Sequence, residues 1–311
     1  MILTITPKPA IDRTIEVPGF TAGETFEGRM VAEVYAGKGI NVSRTLAAIG
    51  GRSVAAALVG KRQAAAFRAS LEASGVASAF VETDGNVRVN TTIIDPGTER
   101  ETHIREAGEG VSAGDVEALR TLVRAETHSG GWVAGCGSLP DGLTAEAYAG
   151  ILLEGRARGA RVALDASGEG LKAARLVEPD LLKPNLEELG EVCGTSIADR
   201  GDAVAAAREL ASEWGGAVLV TMGADGAVLV GDDYAFAMRC AADRVVSTVG
   251  AGDATLAGVL WSNVMMESPS SQLRAAVAAG AASVAEPVAG YLDRGRYDRM
   301  LRAVEVVPLP A

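Results

Sequence analysis

Residues able to do chemistry are concentrated in five short stretches. In Ser247-Thr248-Val249-Gly250-Ala251-Gly252-Asp253-Ala254-Thr255, small residues stand directly before a strongly helical run. Glycine and alanine let a backbone come close to a ligand. A helix starting there aims free N–H groups and the positive end of its dipole at an anion, and Asp253 brings a carboxylate into the same pocket. An acid beside an anion hole needs a reason. The plain alternative is that Asp253 caps the helix, a common task for Asp, and the spacing does not choose between the two.

Ala36-Gly37-Lys38-Gly39-Ile40-Asn41-Val42 again sets glycines before a helix, with a lysine and an amide inside the turn. That chemistry suits phosphate or hydroxyl groups. It is neither a P-loop nor a dinucleotide fingerprint, because the required glycine spacings are missing. Taken alone it reads first as a glycine-rich connection. Gly135-Cys136-Gly137-Ser138-Leu139-Pro140-Asp141-Gly142 reads as an ordinary loop in which Ser138 could offer a hydroxyl. Lys183-Pro184-Asn185-Leu186-Glu187-Glu188 runs from a strand end into a helix. Its Asn185 and Glu188 could hold a hydrated cation on one helical face, or more simply form a capping box. Thr221-Met222-Gly223-Ala224-Asp225-Gly226 reads as a tight turn between strands.

The elements that must position these stretches follow from periodicity. Apolar runs at Ile2–Ile5, Val54–Val59, Trp132–Ala134, Val162–Leu164, Leu181–Lys183, Val218–Thr221 and Val228–Val230 predict strands. Helical spacing predicts helices at Ile40–Ile49, Ala64–Ala73, Ala145–Leu153, Ala203–Ala211, Ala254–Met265 and Ser271–Glu286. This alternation is the βαβ signature of an α/β fold with a largely parallel sheet, and all five motifs are expected at the carboxyl ends of its strands, where such sheets bind ligands. One shared pocket accounts for five coincidences that a bare scaffold leaves unexplained. The stretches 14–36 and 86–105 alternate polar and apolar residues without a helix, and predict antiparallel ribbons inserted as a lid. No compositional linker divides the 311 residues, so they are expected to form a single domain, 1–311.

Composition removes several classes of function. Forty acidic residues against 29 basic ones give a net charge of −11, which disfavours nucleic acid and anionic lipid as partners. No apolar run reaches the roughly 18 residues of a membrane span, so no membrane partner is expected. Cys136, Cys193 and Cys240 stand too far apart for a zinc pair or a readable disulfide framework, in keeping with a cytoplasmic protein. With only His103 and His128, a three-histidine metal site is excluded.

Taken in order, the Ala36–Asn41 turn, Gly137-Ser138-Leu139-Pro140, Lys183-Pro184-Asn185 with Glu188, and Gly250-Ala251-Gly252-Asp253 resemble the ribokinase-like sugar kinases of the PfkB family over nearly the whole chain. Within that family, Pro9-Ala10-Ile11-Asp12, Gly37–Val42 and Arg88-Val89-Asn90 are similar to the branch that phosphorylates sugar phosphates. Its members are 1-phosphofructokinase, tagatose-6-phosphate kinase and the minor 6-phosphofructokinase. Two residues depart from the branch. Lys8 stands where Asn usually precedes Pro9, and Ala36 replaces the first glycine of a Gly-Gly-Lys-Gly turn.

The resemblance implies a three-layer αβα fold with a mostly parallel central sheet and a small β-strand lid. It implies ATP-dependent phosphorylation of a ketose phosphate, in first place fructose 1-phosphate to fructose 1,6-bisphosphate. Tagatose 6-phosphate and fructose 6-phosphate are the alternative substrates, and a non-catalytic sugar-phosphate sensor is the alternative class, opposed by the retained Asp253. Asp253 would then be the general base, with Gly250, Ala251 and Gly252 forming the anion hole. Asp12, Gly37, Lys38, Gly39, Asn41, Arg88, Asn90 and Ser138 would bind the sugar phosphate. Lys38 and Arg88 would answer its charge, and Arg29 and Arg105 on the lid are either further cations for it or solvated surface charges. Lys183, Asn185, Thr221, Gly223, Gly226, Ala279 and Gly280 would line the ATP site, the last two with Ala278 as a flat bed for adenine. Asn185 and Glu188 would position Mg²⁺ through water, and the lid strands would join two copies in a homodimer.

Overall fold

Short, β-branched and alanine-rich strands alternate with helices along the chain, and the computed structural model, which describes residues 1–98 and 100–309, arranges them in layers. In chain order the elements are β1 (Ile2–Thr6), β2 (Ala10–Glu16), β3 (Arg29–Ala36), α1 (Lys38–Ala48), β4 (Ser53–Gly60), α2 (Ala64–Ala73), β5 (Ala77–Thr83), β6 (Arg88–Asp95), β7 (Arg100–Arg105) and α3 (Ala113–Glu126). They continue as β8 (Trp132–Gly137), α4 (Ala145–Ala157), β9 (Arg161–Ala166), α5 (Glu169–Lys172), α6 (Ala174–Val177), β10 (Leu181–Leu182), α7 (Leu186–Cys193) and α8 (Arg200–Trp214). The last are β11 (Ala217–Thr221), β12 (Ala227–Val230), β13 (Ala235–Arg239), α9 (Ala251–Val264), α10 (Pro269–Ser283), α11 (Arg294–Ala303) and β14 (Glu305–Val306).

The main sheet has the order β14-β13-β12-β11-β10-β9-β8-β1-β4-β5. From β5 to β11 every pairing is parallel, and β12, β13 and β14 add an antiparallel flank. The protein is therefore α/β with a mostly parallel sheet flanked by helices. Parallel strands covered on both faces carry apolar side chains on both. Accordingly, one face of the sheet packs Val133, Val162 and Leu164 against Leu119, Tyr148, Leu189 and Leu210 of α3, α4, α7 and α8. The other face packs Trp132, Ala163 and Leu219 against Leu46, Leu256, Leu260 and Ala276 of α1, α9 and α10. One strand pairing bears on the chemistry: buried Cys136 on β8 lies beside Asp165 on β9.

A second sheet, of order β3-β2-β6-β7, stands apart from the first. Its base is held by Ile11, Tyr35 and Val89 packed on Phe67 and Phe80, with the Tyr35 and Phe67 rings 5.0 Å apart edge to face. Its first strand begins at Ala10, four residues before the ribbon start expected from alternation, because Ala10 and Ile11 are both buried where the strand leaves the body. Residue 99, inside the second expected ribbon, lies outside the described residues.

The expectation that all five motifs follow strands of the main sheet holds for three of them. The Gly37 turn instead follows β3 of the small sheet, and Gly250 follows a long connection after the antiparallel β13. Both reach the same end of the molecule because they pack on what does stand there. A Cβ on Gly39 would lie 2.7 Å from Thr6 Oγ1 and 3.0 Å from the Ile5 carbonyl oxygen, so only glycine lets α1 start this close to the end of β1. Ala36, the departure from the family turn, is buried at the end of β3 and needs no positive φ.

Candidate active site

The first turn of α9 carries Asp253. Gly250 caps it with φ 84°, a conformation that suits glycine, and a Cβ there would sit 2.6 Å from that of Ala289. The amides of Gly252 and Asp253 have no acceptor among the described residues, leaving two N–H groups directed past the helix end. Ala251, expected to share that duty, donates to the Thr248 carbonyl at 3.3 Å.

Asp253 is only 5% exposed, and its Oδ2 accepts a hydrogen bond of 2.9 Å from Asn41 Nδ2. Asn41 reaches it from the first turn of α1, where its own amide closes on the Gly37 carbonyl at 2.8 Å. Burial, and then the charge of Asp165, push the Asp253 carboxyl up to about 7, against the pull of Lys38, the Asn41 bond and Lys183. A buried acid held near neutrality is poised to take a proton.

Asp165, at the end of β9, was invisible as a site residue in the sequence. It is fully buried and joins two lysines from distant parts of the chain: Lys38 Nζ at 2.9 Å from Oδ1 and Lys183 Nζ at 3.2 Å from Oδ2. The first is a hydrogen bond. The second is an ion contact without good hydrogen-bond direction, since Oδ2 has no well-aligned donor. Burial opposes ionisation of Asp165, yet Lys183 and Lys38 together hold its pKa below the ordinary value. Burial likewise opposes the charge on Lys38, and Asp165 and Asp253 outweigh it, raising that pKa. Lys183, 4% exposed, places its ammonium 3.3 Å from where a Cβ on Gly252 would be, so it stands at the mouth of the α9 turn. The structure thus brings Lys38, Asn41, Asp165, Lys183, Gly252 and Asp253 into one charged cluster.

Of the residues expected on the sugar side, Asp12 and Asn90 meet at the base of the small sheet. They are cross-strand partners, joined by a 2.8 Å bond from Asn90 Nδ2 to Asp12 Oδ1. Arg88 begins β6, and Ser138 is half-buried just after β8, next to Gly137, where a Cβ would lie 3.6 Å from that of Lys38. Arg29 does not join them. It sits at the far end of β3, with a side chain 72% exposed and paired to Glu16 at 2.5 Å; eight strand residues separate it from the Gly37 turn by roughly 25 Å.

On the nucleotide side, Asn185 and Glu188 make the capping box of α7. Glu188 N–H donates to Asn185 Oδ1 at 2.8 Å, and Asn185 N–H donates to Glu188 Oε2 at 2.9 Å. Asn185 is therefore the cap and not a residue on the helical face. The box leaves Glu188 Oε1 without a hydrogen-bond partner among the described residues, and the negative charge of Glu188 adds slightly to what favours the charged form of Lys38. Thr221 ends β11 beside Asn185, and Gly223 opens a single 3₁₀ turn with unobstructed space around it. Two expected nucleotide contacts have other roles. Gly226 takes φ 87° where a Cβ would lie 2.1 Å from the Met238 carbonyl oxygen, the demand of a strand turn. Ala278 and Ala279 are fully buried between α10 and the sheet, leaving Gly280, pressed on Thr255, as the accessible residue of that trio.

Comparison with known proteins identifies the family. The family described as pfkB family carbohydrate kinase matches residues 6–293. A 1-phosphofructokinase of Rhodobacter capsulatus is 39% identical over 260 residues, spanning 83% of this chain and 82% of the relative. A 1-phosphofructokinase of Escherichia coli strain K12 is 30% identical over 310 residues, 99% of this chain and 98% of that one. Among solved structures, phosphofructokinase-2 from Escherichia coli in complex with substrates and products superposes with a TM-score of 0.87 at 26% identity, covering 97% of this chain and 98% of the other.

Proposed function

We propose, since this chain belongs to the pfkB family of carbohydrate kinases, that it is an ATP-dependent phosphofructokinase whose substrate is fructose 1-phosphate and whose product is fructose 1,6-bisphosphate. The observation that carries the chemistry is the buried Asp253 carboxyl, raised to about 7 and set beside two free helix amides and Lys183. In this reading a sugar hydroxyl attacks the γ-phosphorus of ATP, its O–P bond forms as the bond to the ADP oxygen breaks, and the hydroxyl proton passes to Asp253. The Gly252 and Asp253 amides and Lys183 meet the negative charge spread over the phosphoryl oxygens. Asn41 fixes the Asp253 carboxylate in place. Asp12, Asn90 and Ser138 hold sugar hydroxyls, and Lys38 and Arg88 face the phosphate already on the sugar.

The residues present fit a magnesium ion carried by the nucleotide. Among the described residues no cluster of three or more His, Cys, Asp or Glu makes a protein cage, and Mg²⁺ commonly binds through one or two carboxylates plus water and substrate phosphates. Glu188 Oε1 would hold its water shell, and the ion would neutralise phosphate charge.

We read the whole chain as one kinase unit whose small sheet is the lid. Its edge strands expose Met30, Val31 and Ile104, at 55%, 47% and 52%. Such a rim is the face through which a second copy would associate. Met30→Glu is expected to shift the particle from dimer to monomer in sedimentation velocity; an unchanged sedimentation coefficient at low micromolar concentration removes the lid from the interface. No helix among the described residues is long and apolar enough to cross a membrane.

The substrate assignment is tested by ADP release with fructose 1-phosphate, fructose 6-phosphate, tagatose 6-phosphate and fructose. The expected result is the highest kcat/KM with fructose 1-phosphate. Turnover confined to unphosphorylated fructose would overturn the reading.

A further inference from the structure

We propose that Lys8 is a specificity-determining ligand of this chain, which together with Arg88 grips the phosphate that the acceptor sugar already carries. The inference rests on the sugar-phosphate reading above and deepens it, because Lys8 sets a second cation beside Arg88.

Lys8 lies in the three-residue loop between β1 and β2, directly between Thr6, which accepts the Ile40 amide at 3.1 Å, and the strand that bears Asp12. Pro7 and Pro9 flank it and are both buried, and the Pro9 Cα is 3.3 Å from where a Cβ on Gly37 would be. The proline that follows restricts the backbone of Lys8, and with it the direction in which the side chain leaves the loop. It points toward Arg88. A Cβ on Gly108 would meet the Arg88 Cβ at 3.3 Å and the Lys8 Cε at 3.6 Å, so the two side chains bracket one glycine. They line the same cleft with Asn86, Glu109, Gly110 and Pro140, and Pro140 is two residues beyond Ser138.

Among the described residues, no carboxylate oxygen lies within ion-pair distance of Lys8 or Arg88, although sixteen other ion pairs form. Arg88 Nε is buried without any acceptor. The acids nearby are engaged elsewhere: Glu109 accepts from Asn86 Nδ2, Glu106 from the Val89 amide, and Asp12 from Asn90. Burial depresses the Arg88 pKa, opposed by Asp12 and reinforced by the like charge of Arg105. Positive groups side by side repel, and that cost is recovered when a dianion bridges them through charge-assisted hydrogen bonds. A half-buried lysine set beside a half-buried arginine has no structural purpose that this packing reveals, whereas a phosphate satisfies both.

The test uses the full-length enzyme with Lys8→Met, which keeps length and removes charge, and Lys8→Arg, which keeps charge. For Lys8→Met, KM for fructose 1-phosphate is expected to rise roughly tenfold or more, while kcat falls much less. Its KM should also depend less steeply on ionic strength, KM for unphosphorylated fructose should stay put, and Lys8→Arg should recover most of the loss. A Lys8→Met enzyme with KM within twofold of wild type and the same salt dependence overturns the proposal while leaving the phosphofructokinase reading intact. An equal rise in KM for fructose, or no recovery in Lys8→Arg, overturns it too, since the effect would then be one of packing. Failure of the wild-type enzyme on every ketose phosphate is a different outcome and refutes the substrate reading itself.

Discussion

Asp253→Asn is expected to lower kcat by about two orders of magnitude or more, the scale of a lost general base, with KM for the sugar phosphate close to wild type. Asn keeps the shape of the side chain and its contact with Asn41 but cannot accept a proton. Steady-state kinetics check it, and near-normal turnover would remove Asp253 from the role. The same carboxyl sets the pH dependence. Its pKa is raised to about 7, so the protonated form persists up to neutrality, and kcat/KM should fall as pH drops through about 7. For stability the sign runs the other way. A carboxyl raised above its unfolded value favours the fold at low pH, and that advantage is lost as pH climbs from about 4 through about 7. Asp253→Asn, which never ionises, should therefore resist urea better than wild type at pH 8 and about equally at pH 4. Activity and stability are opposed at this one residue.

Asp165→Asn is expected to be the more damaging change to the fold. It leaves the buried ammonium of Lys183 and the partly exposed one of Lys38 without their shared counter-ion. Removing one partner of a buried ion pair costs roughly 3–5 kcal/mol, and the lower end of that range applies here because Asn still accepts a hydrogen bond and Lys38 reaches solvent. Urea midpoints at constant m-value measure it. A second effect separates this residue from a merely structural one. The Asp165 charge helps to raise the Asp253 pKa, so the acid limb of the kcat/KM profile should move to lower pH in the variant. An unmoved limb would mean that the two carboxylates do not sense each other.

Much of this architecture was legible because it rests on local rules. Small residues before a helical run gave away α9 and its acid, and alternation gave away the strands of the small sheet. What was not legible depended on the third dimension. Asp165 ends a buried apolar strand and looks like a strand terminus; its partners lie 127 and 18 residues away in sequence, and only strand register and the Gly39 contact bring Lys38 to it. The available signal was that a fully buried Asp is rare unless paired. Ala279 is the converse case: an alanine stripe suits an adenine bed and a tightly packed helix face equally, and here, on α10, it is fully buried in the core. Helix α3 was overlooked although Ser112 and Asp115 form a capping box at its start, a pattern readable from sequence. Arg29 showed that membership of a ribbon does not say which end of the ribbon reaches the site.

Cys136 has a practical use that follows from its place beside Asp165. Burial above all, and then the nearby Asp165 and Asp253 charges, keep its thiol well above the ordinary range and therefore unreactive. Cys193 and Cys240 are only partly covered. With those two changed to serine, the rate at which a thiol reagent modifies the remaining cysteine would report how often the centre of the sheet opens to water. A substrate that tightens the cluster in front of it should slow that clock.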